Sequence, residues 1–240
     1  MAETTTLTAH AEPAIWCEKA SDFFASKVAV FGLVLFVLIV LAALLAPWLS
    51  MQNPYDLSQL DIMDARLPPG SASGNGQVFL IGSDEQGRDL LSAILYGLRI
   101  SLGVGVVSTL IAVSLGLAVG LIAAYRGGRW DSVIMRIVDI QLSFPAILIA
   151  LILLAVWGQG IGKIIAALVT VQWAYYARTV RSAALAEKNK DYIVAAQGLA
   201  LSPLRIVFKH LLPNCLPPLI VVASVQVAHA IALEATLSFL

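Results

Sequence analysis

Charge is what this sequence has least of. Only 12% of its 240 residues are Asp, Glu, Lys or Arg, where a soluble domain carries about 25%. A chain this poor in charge cannot cover itself with a polar surface, so lipid must serve as part of its solvent. The few charges also cancel to a formal net charge of zero, which gives no reason to expect a nucleic-acid partner. Cysteine is nearly absent. Cys17 and Cys215 lie far apart and make neither a disulfide framework nor a metal site. The three histidines, His10, His210 and His229, are scattered, so no cluster marks a membrane enzyme. No catalytic residue, metal or cofactor is expected. A nucleotide motif is missing too. Gly158-Gln159-Gly160-Ile161-Gly162-Lys163 superficially suggests a phosphate loop, but Trp157 stands where the first glycine is required and Ile164 replaces the Ser/Thr after the lysine. It reads as a short turn between spans.

What the chain has is long uncharged runs. A helix needs about 20 mostly apolar residues to cross a bilayer core. Val28 to Tyr55 is the first run, intensely apolar as far as Leu49. It is too long for the apolar core of a signal peptide and no clear small-residue cleavage site follows, so it reads as a retained span. Ile100 to Tyr125, Ile140 to Gly162, Ile164 to Ala177 and Leu211 to Leu233 follow. The third run's helix is expected to start near Ser132. The fourth is short and ends in Trp173, Tyr175 and Tyr176, residues suited to an interface. Pro213, Pro217 and Pro218 stand near the start of the fifth, where a first helical turn tolerates proline. The expected fold is all-α, a polytopic transmembrane bundle with five spans in this sequence.

The basic residues set the orientation. With the N-terminus in the cytoplasm, Lys19, Lys27, Arg126, Arg129, Arg136, Arg178, Arg181, Lys188, Lys190, Arg205 and Lys209 lie inside or at the inner boundary. Only Arg66, Arg88, Arg99 and Lys163 lie outside or at the outer boundary. That asymmetry obeys the positive-inside rule.

Several local patterns carry structural readings. Gly116 and Gly120 form a small-xxx-small pair that lets helices approach closely in lipid. Arg136 and Asp139 are three apart, share a helical face and read as a structural ion pair. Phe144-Pro145 offers a kink. The loop 50–98 is acidic, and turn signals fill its middle. At its end, Ile81-Gly82-Ser83-Asp84-Glu85-Gln86-Gly87-Arg88-Asp89 reads as a capped helix start, with Ser83 or Asp84 as the cap. Glu234 is an acid in an apolar stretch, with His229 as its expected partner.

The most informative stretch is Asp191–Asn214, DYIVAAQGLALSPLRIVFKHLLPN. It is a polar, basic break in an otherwise apolar chain. Tyr192, Ile193, Leu199 and Leu201 supply apolar contacts, and Ala195, Ala196 and Ala200 allow close approach. Ser202 and Pro203 look like the cap and first-turn pair of a following helix. This segment resembles the cytoplasmic loop of permease subunits from binding-protein-dependent ABC importers. The family pattern is Glu-Ala-Ala-x-x-x-Gly, nine residues, then Ile-x-Leu-Pro. Here Val194 stands for the Glu, Ala195 and Ala196 match, and Ala200 stands for the Gly, with Gly198 nearby as a substitute. His210 takes the Ile position, followed by Leu211, Leu212 and Pro213. Gly82, Asp84, Gly87, Arg88 and Asp89 resemble the Gly-Thr-Asp-x-x-Gly-Arg-Asp element of the dipeptide, oligopeptide and nickel subfamily, with Ser83 for Thr. Tyr125 to Pro145 and Leu233 to Leu240 resemble further subfamily elements.

The resemblance implies a type I ABC importer permease of the second-permease kind, in a bacterial inner membrane. It implies that residues 1–27 are a cytoplasmic segment and 28–240 the permease domain. Within that domain, 50–98 would be extracytoplasmic and 178–212 the cytoplasmic coupling loop. The coupling residues would be Tyr192, Val194, Ala195, Ala196, Gly198, Leu199, Ala200, Ser202, Pro203, His210 and Pro213. The implied partners are a second permease, two ABC ATPases, which supply all ATP hydrolysis, and an extracytoplasmic binding protein that the 82–89 element helps to seat. Permeases of the subfamily continue past the apolar Leu237-Ser238-Phe239-Leu240, so a final span is expected to be missing. The implied substrate is a dipeptide or oligopeptide, with nickel or another small solute as the alternative. An ion-coupled secondary transporter is a more distant alternative.

Overall fold

The computed structural model describes Phe23 to Phe239. His10, Cys17, Lys19 and most of the expected 1–27 segment lie outside these residues. The chain forms two compact units that divide at Arg99 and Ile100.

The first unit opens with α1, Lys27–Leu49, which is the first apolar run. Ser26 caps it by accepting the Ala29 N–H at 3.4 Å. Most of its large apolar side chains are exposed, as befits a helix whose solvent is hydrocarbon. The following loop is ordered by its acids. Asp56 and Asp61 cap two short 3-10 turns, Leu57–Gln59 and Ile62–Asp64. The buried Asp64 carboxylate accepts the Ser73 hydroxyl at 2.5 Å and the Gly74 N–H at 2.9 Å. That contact holds a small antiparallel hairpin, β1 (Ser71–Ala72) and β2 (Val78–Phe79), with Ser71 opposite Phe79.

The 82–89 element closes this unit, and its glycines are there for steric reasons. Gly82 and Gly87 have φ of 94° and 75°, a region costly for residues with a Cβ. A Cβ on Gly82 would lie 2.5 Å from the Leu67 carbonyl oxygen, and one on Gly87 2.0 Å from that of Asp61. Asp84 accepts N–H bonds from Gln86 at 2.8 Å and Arg88 at 3.0 Å, and pairs with the Arg88 guanidinium at 2.6 Å. Burial pushes the Asp84 carboxyl up, but the bonds from Arg88 and Gln86 together outweigh it and leave the group below its usual 3.8. Its contribution to stability is therefore complete above about pH 3.8 and lost as pH falls through the lower folded value. Limited proteolysis of loop 50–98 is expected to be flat from neutral pH to about 4 and to accelerate below that. Acceleration already at pH 6 would contradict this role.

The sequence placed the cap of the next helix at Ser83 or Asp84. The cap is Asp89, which accepts the Ser92 N–H at 2.9 Å, while its own carbonyl receives Ala93. Ser83 instead donates to the Asp64 carbonyl and accepts the Leu67 N–H. The helix α2, Leu90–Arg126, thus starts inside the stretch read as loop.

The second unit is a helical bundle. α2 leads through a tight turn at Gly127 and Gly128, both with positive φ, into α3, Gly128–Ser143. α4 is Ala146–Trp157 and α5 is Ile161–Lys188. The α4–α5 turn carries Gly158 at φ 80°, so the false phosphate loop is a turn. α6 is Asp191–Gly198, and α7 is Pro203–Phe239 with a π-helical turn at Ile206–Leu211. α5 lies at the centre, packed against α7, α4 and α3. Gly116 and Gly120 bring α2 directly onto it. A Cβ on Gly116 would lie 2.5 Å from the Tyr176 Cβ, and one on Gly120 would lie 2.6 Å from the Ala177 carbonyl oxygen.

The structure alters the expected spans. Among the described residues, three helices are long and apolar enough to cross a membrane, α1, α2 and α7, or up to four spans if α3 and α4 form one bent span. The third run is not one helix from Ser132. It breaks at Phe144-Pro145 with a bend of 89°, because proline disfavours helix in the residue before it. The fourth run lies in α5, which has ample length but carries Gln172, Arg178 and Arg181 in its middle. A helix enclosed by other helices needs less lipid-like chemistry. Pro217 and Pro218 fall inside α7 rather than in a first turn.

Two expected pairs are also corrected. Asp139 pairs with Arg178 of α5 rather than with Arg136. Arg181 likewise grips Asp131 through two bonds, 2.9 and 2.6 Å. Both acids of α3 are therefore engaged from the neighbouring helix, which spacing within α3 cannot reveal. Glu234 does not pair with His229. Its carboxylate accepts the hydroxyls of Ser101 and Ser238 at 2.7 and 2.8 Å, while His229 meets Gln226.

Candidate functional site

The site lies where α5 ends, α6 crosses and α7 begins. α5 stops at Lys188, and Asp191 follows in the first turn of α6, where an acid suits the helix dipole. The eight residues of α6 are divided by helical periodicity. Ile193 and Ala196 point inward and join the core formed with Tyr176, Val180, Ile206 and Leu211. Tyr192, Val194 and Ala195 face outward, as does Leu199 at the C-cap, with Leu199 76% and Val194 57% exposed. Ala196 and Ile193 therefore serve the chain's own core and are not available to a partner, contrary to the sequence reading.

The end of α6 is a Schellman motif. The Ala200 N–H reaches the Gln197 carbonyl at 2.9 Å, and the Leu201 N–H reaches that of Ala196 at 3.2 Å. Such a closure needs a left-handed residue between them, and Ala200 has φ of 56°. This is the position where the family pattern has glycine. Gly198 does not compensate, being the last helical residue without positive φ. Left-handed backbone costs a residue with a Cβ about 1–2 kcal/mol. Ala200→Gly is therefore expected to stabilise the α6 end by about 1 kcal/mol, read as slower amide exchange at Leu199 to Leu201. No change, or faster exchange, would contradict the strain.

After that turn, Ser202 stands at the N-cap position of α7 and Pro203 at its first turn. The Ser202 carbonyl accepts the Ile206 N–H at 3.1 Å. His210 lies in the π-helical turn and Pro213 just beyond it. Proline has no N–H to offer the preceding turn, which fits a wider turn at this point. Leu204 and Phe208 are exposed on the same segment.

Three side chains fasten the segment. Glu187 accepts the Lys190 ammonium and the Tyr192 hydroxyl, each at 2.6 Å. Asn214 donates to the Tyr192 oxygen at 3.0 Å and to the His210 carbonyl at 2.8 Å. Lys188 donates to the Ala124 and Tyr125 carbonyls at 3.1 and 3.0 Å, capping the C-terminal end of α2. The ends of α2 and α5 and the starts of α6 and α7 thus meet in one clamp. The Lys190 and Tyr192 bonds hold the Glu187 carboxyl below its usual 4.5. Burial and the Glu187 bond push the Tyr192 phenol up to about 12. The acid's share is present above pH 4.5 and lost below its depressed value. The phenol's share is present below pH 10 and lost above its raised value. The clamp is therefore intact between those limits.

A helix of this kind, standing between two long helices with an apolar outer face, invites comparison with known proteins. Residues 116–240 match the family model described as binding-protein-dependent transport system inner membrane component. Residues 16–69 match the N-terminal TM domain of oligopeptide transport permease C. The chain belongs to the binding-protein-dependent transport permease family. It is 40% identical to the di/tripeptide transport system permease protein DppC of Pseudomonas aeruginosa, over 91% of this chain and 71% of that one. It is 41% identical to the dipeptide transport system permease protein DppC of Escherichia coli, over 91% and 72%. With the oligopeptide transport system permease protein OppC of Bacillus subtilis it shares 35%, over 94% and 71%.

This permease is accordingly an all-α, multi-pass inner-membrane protein, a component of a transport system. Two parts of its site escaped the sequence reading. Glu187 and Lys188 look like ordinary charges at a helix end, and Asn214 like part of a pattern. The one available signal was the proximity of Glu187, Lys188 and Lys190 to an aromatic hydroxyl at Tyr192.

Proposed function

We propose that this chain is one of two permease subunits in an ATP-driven importer of dipeptides or oligopeptides, with α6 as its coupling helix. The observation that carries the reading is the division of α6. Its inner face is fixed into the bundle and its outer face presents Val194, Ala195 and Leu199 to a partner. The clamp at Glu187 makes the helix a lever rather than a loose loop, because a push on α6 reaches α5, α7 and α2 together. Peptide as the substrate rests on the names of the relatives.

The N-terminus and the segment 178–212 lie in the cytoplasm, where the basic residues concentrate. There the segment meets an ABC ATPase. Two such ATPases hydrolyse ATP, and this chain carries no catalytic group. Residues 28–240 form the permease domain. The loop 50–98 faces outward, and its rigid 82–89 turn helps to seat the substrate-binding protein. Closure of the ATPase dimer moves the coupling helices, and that motion opens and closes the route between the two permeases.

The test is uptake of a labelled dipeptide in cells deleted for this gene. Energy-dependent uptake is expected to fall to background and to return with the native chain. Unchanged dipeptide uptake on deletion, with loss of nickel uptake instead, would replace the peptide reading by the metal one.

A further inference from the structure

A cavity of about 240 Å³ opens on the bundle between α4, α5 and α7. Gln172, Tyr175, Gln226, His229 and Thr236 supply its polar groups. Gln172 is 2% exposed. Its carbonyl oxygen accepts the Thr109 and Tyr176 hydroxyls at 3.5 Å, but its amide nitrogen is buried without any partner. Buried polar groups are nearly always bonded, and an unpaired one calls for an explanation. Around it, Tyr175, His229 and Thr236 are exposed on the bundle surface. His229 and Gln226 fall inside an uncharged apolar stretch, Leu211 to Leu233, and polar side chains at that depth avoid lipid and turn to a water-filled route or a neighbouring subunit. His229 Nδ1 lies 2.8 Å from the Gln226 Oε1; the tautomer with its proton on Nδ1 donates to that oxygen and leaves Nε2 as an acceptor.

We infer that this cavity is a subsite of the transport route that receives a peptide amide. With a turn of its side chain into the cavity, the Gln172 amide donates to the peptide carbonyl, and His229 Nε2 accepts the peptide N–H. The inference rests on the importer reading and adds where, and by which groups, the solute is held. The chemistry selects the ligand. The lining holds donors and acceptors but no carboxylate and no ammonium or guanidinium group, so it suits a neutral amide better than a metal cation or a charged peptide terminus. The volume is below the roughly 300–1,000 Å³ of a complete ligand pocket, as befits one station on a path rather than a high-affinity site.

The experiment uses the full transporter in native membranes, with His229→Cys, Thr236→Cys and, as an exposed apolar control on α7, Ile220→Cys. A water-soluble, membrane-impermeant thiol reagent is expected to modify the first two at least tenfold faster than the control. Dialanine, added with binding protein and ATP, is expected to slow that modification at least threefold. Gln172→Leu is expected to lower dialanine uptake at least tenfold at unchanged recovery of the complex. Rates equal to the control would overturn a wet cavity, and fast modification unaffected by dialanine would overturn the peptide subsite. Should Gln172→Leu reduce the recovered complex, the labelling arms still decide. A wild-type transporter without dialanine uptake would sink the importer reading instead, and this inference with it.

Discussion

Gly116→Leu is expected to loosen α2 from α5 and to lower the stability of the folded protein. The helices touch here without room for even one methyl. An added Cβ would lie 2.5 Å from the Tyr176 Cβ, 2.7 Å from the Trp173 carbonyl oxygen and 2.8 Å from the Ala177 N. Two of these are backbone atoms and cannot turn aside as a side-chain end can. Overpacking a filled core costs about 1–3 kcal/mol, sometimes more, and a full isobutyl group at a backbone contact belongs at the upper end. A fall of about 10 °C in the unfolding temperature of the purified protein follows. Gly103→Ala supplies the control on the same helix, because nothing lies within 4 Å of its added Cβ. It is expected to match or slightly exceed the native stability. Equal unfolding temperatures for Gly116→Leu and the native chain would contradict the close approach of α2 and α5.

Glu187→Ala is expected to free α6 from the bundle while the long helices stay folded. The carboxylate receives one ammonium and one hydroxyl at 2.6 Å, and hydrogen bonds to a charged group contribute about 1.5–3 kcal/mol. Loss of about 2 kcal/mol corresponds to roughly thirtyfold faster amide exchange across Ile193 to Leu201. Exchange in the middle of α5 is expected to stay unchanged. In the proposed importer, the ATPase subunits assembled with this variant are expected to go on hydrolysing ATP with poor transport, because α6 has lost its anchor. Native exchange rates in α6 would show that the clamp holds nothing.

The first span and the α6 segment were legible for a plain reason. Both are set by local pattern, the first by an unbroken apolar run from Val28 to Leu49 and the second by Ser202-Pro203 and the HLLPN string. α5 was legible only in part. Its Gln172 and arginines break the apolar run, and their compensation comes from helices distant in sequence. Arg136 and Asp139 satisfied every local rule for a pair, yet Arg178 and Arg181 reach in from α5. The clamp was invisible because Glu187 and Asn214 meet only through Tyr192. Ala200 is the reverse case. The departure from glycine was visible in the sequence, and its left-handed φ gives the reason glycine belongs there.

We propose that an ATPase takes hold of the outer face of α6. The most direct test is co-purification of ATPase subunits with this chain, native or carrying Ala195→Asp and Leu199→Asp together. Both side chains point outward, so the fold is expected to survive, whereas Ala196 is left alone because it is buried. Burying two unpaired carboxylates in an apolar contact is expected to reduce ATPase recovery at least thirtyfold. Full recovery of ATPase with the folded double variant would contradict the account.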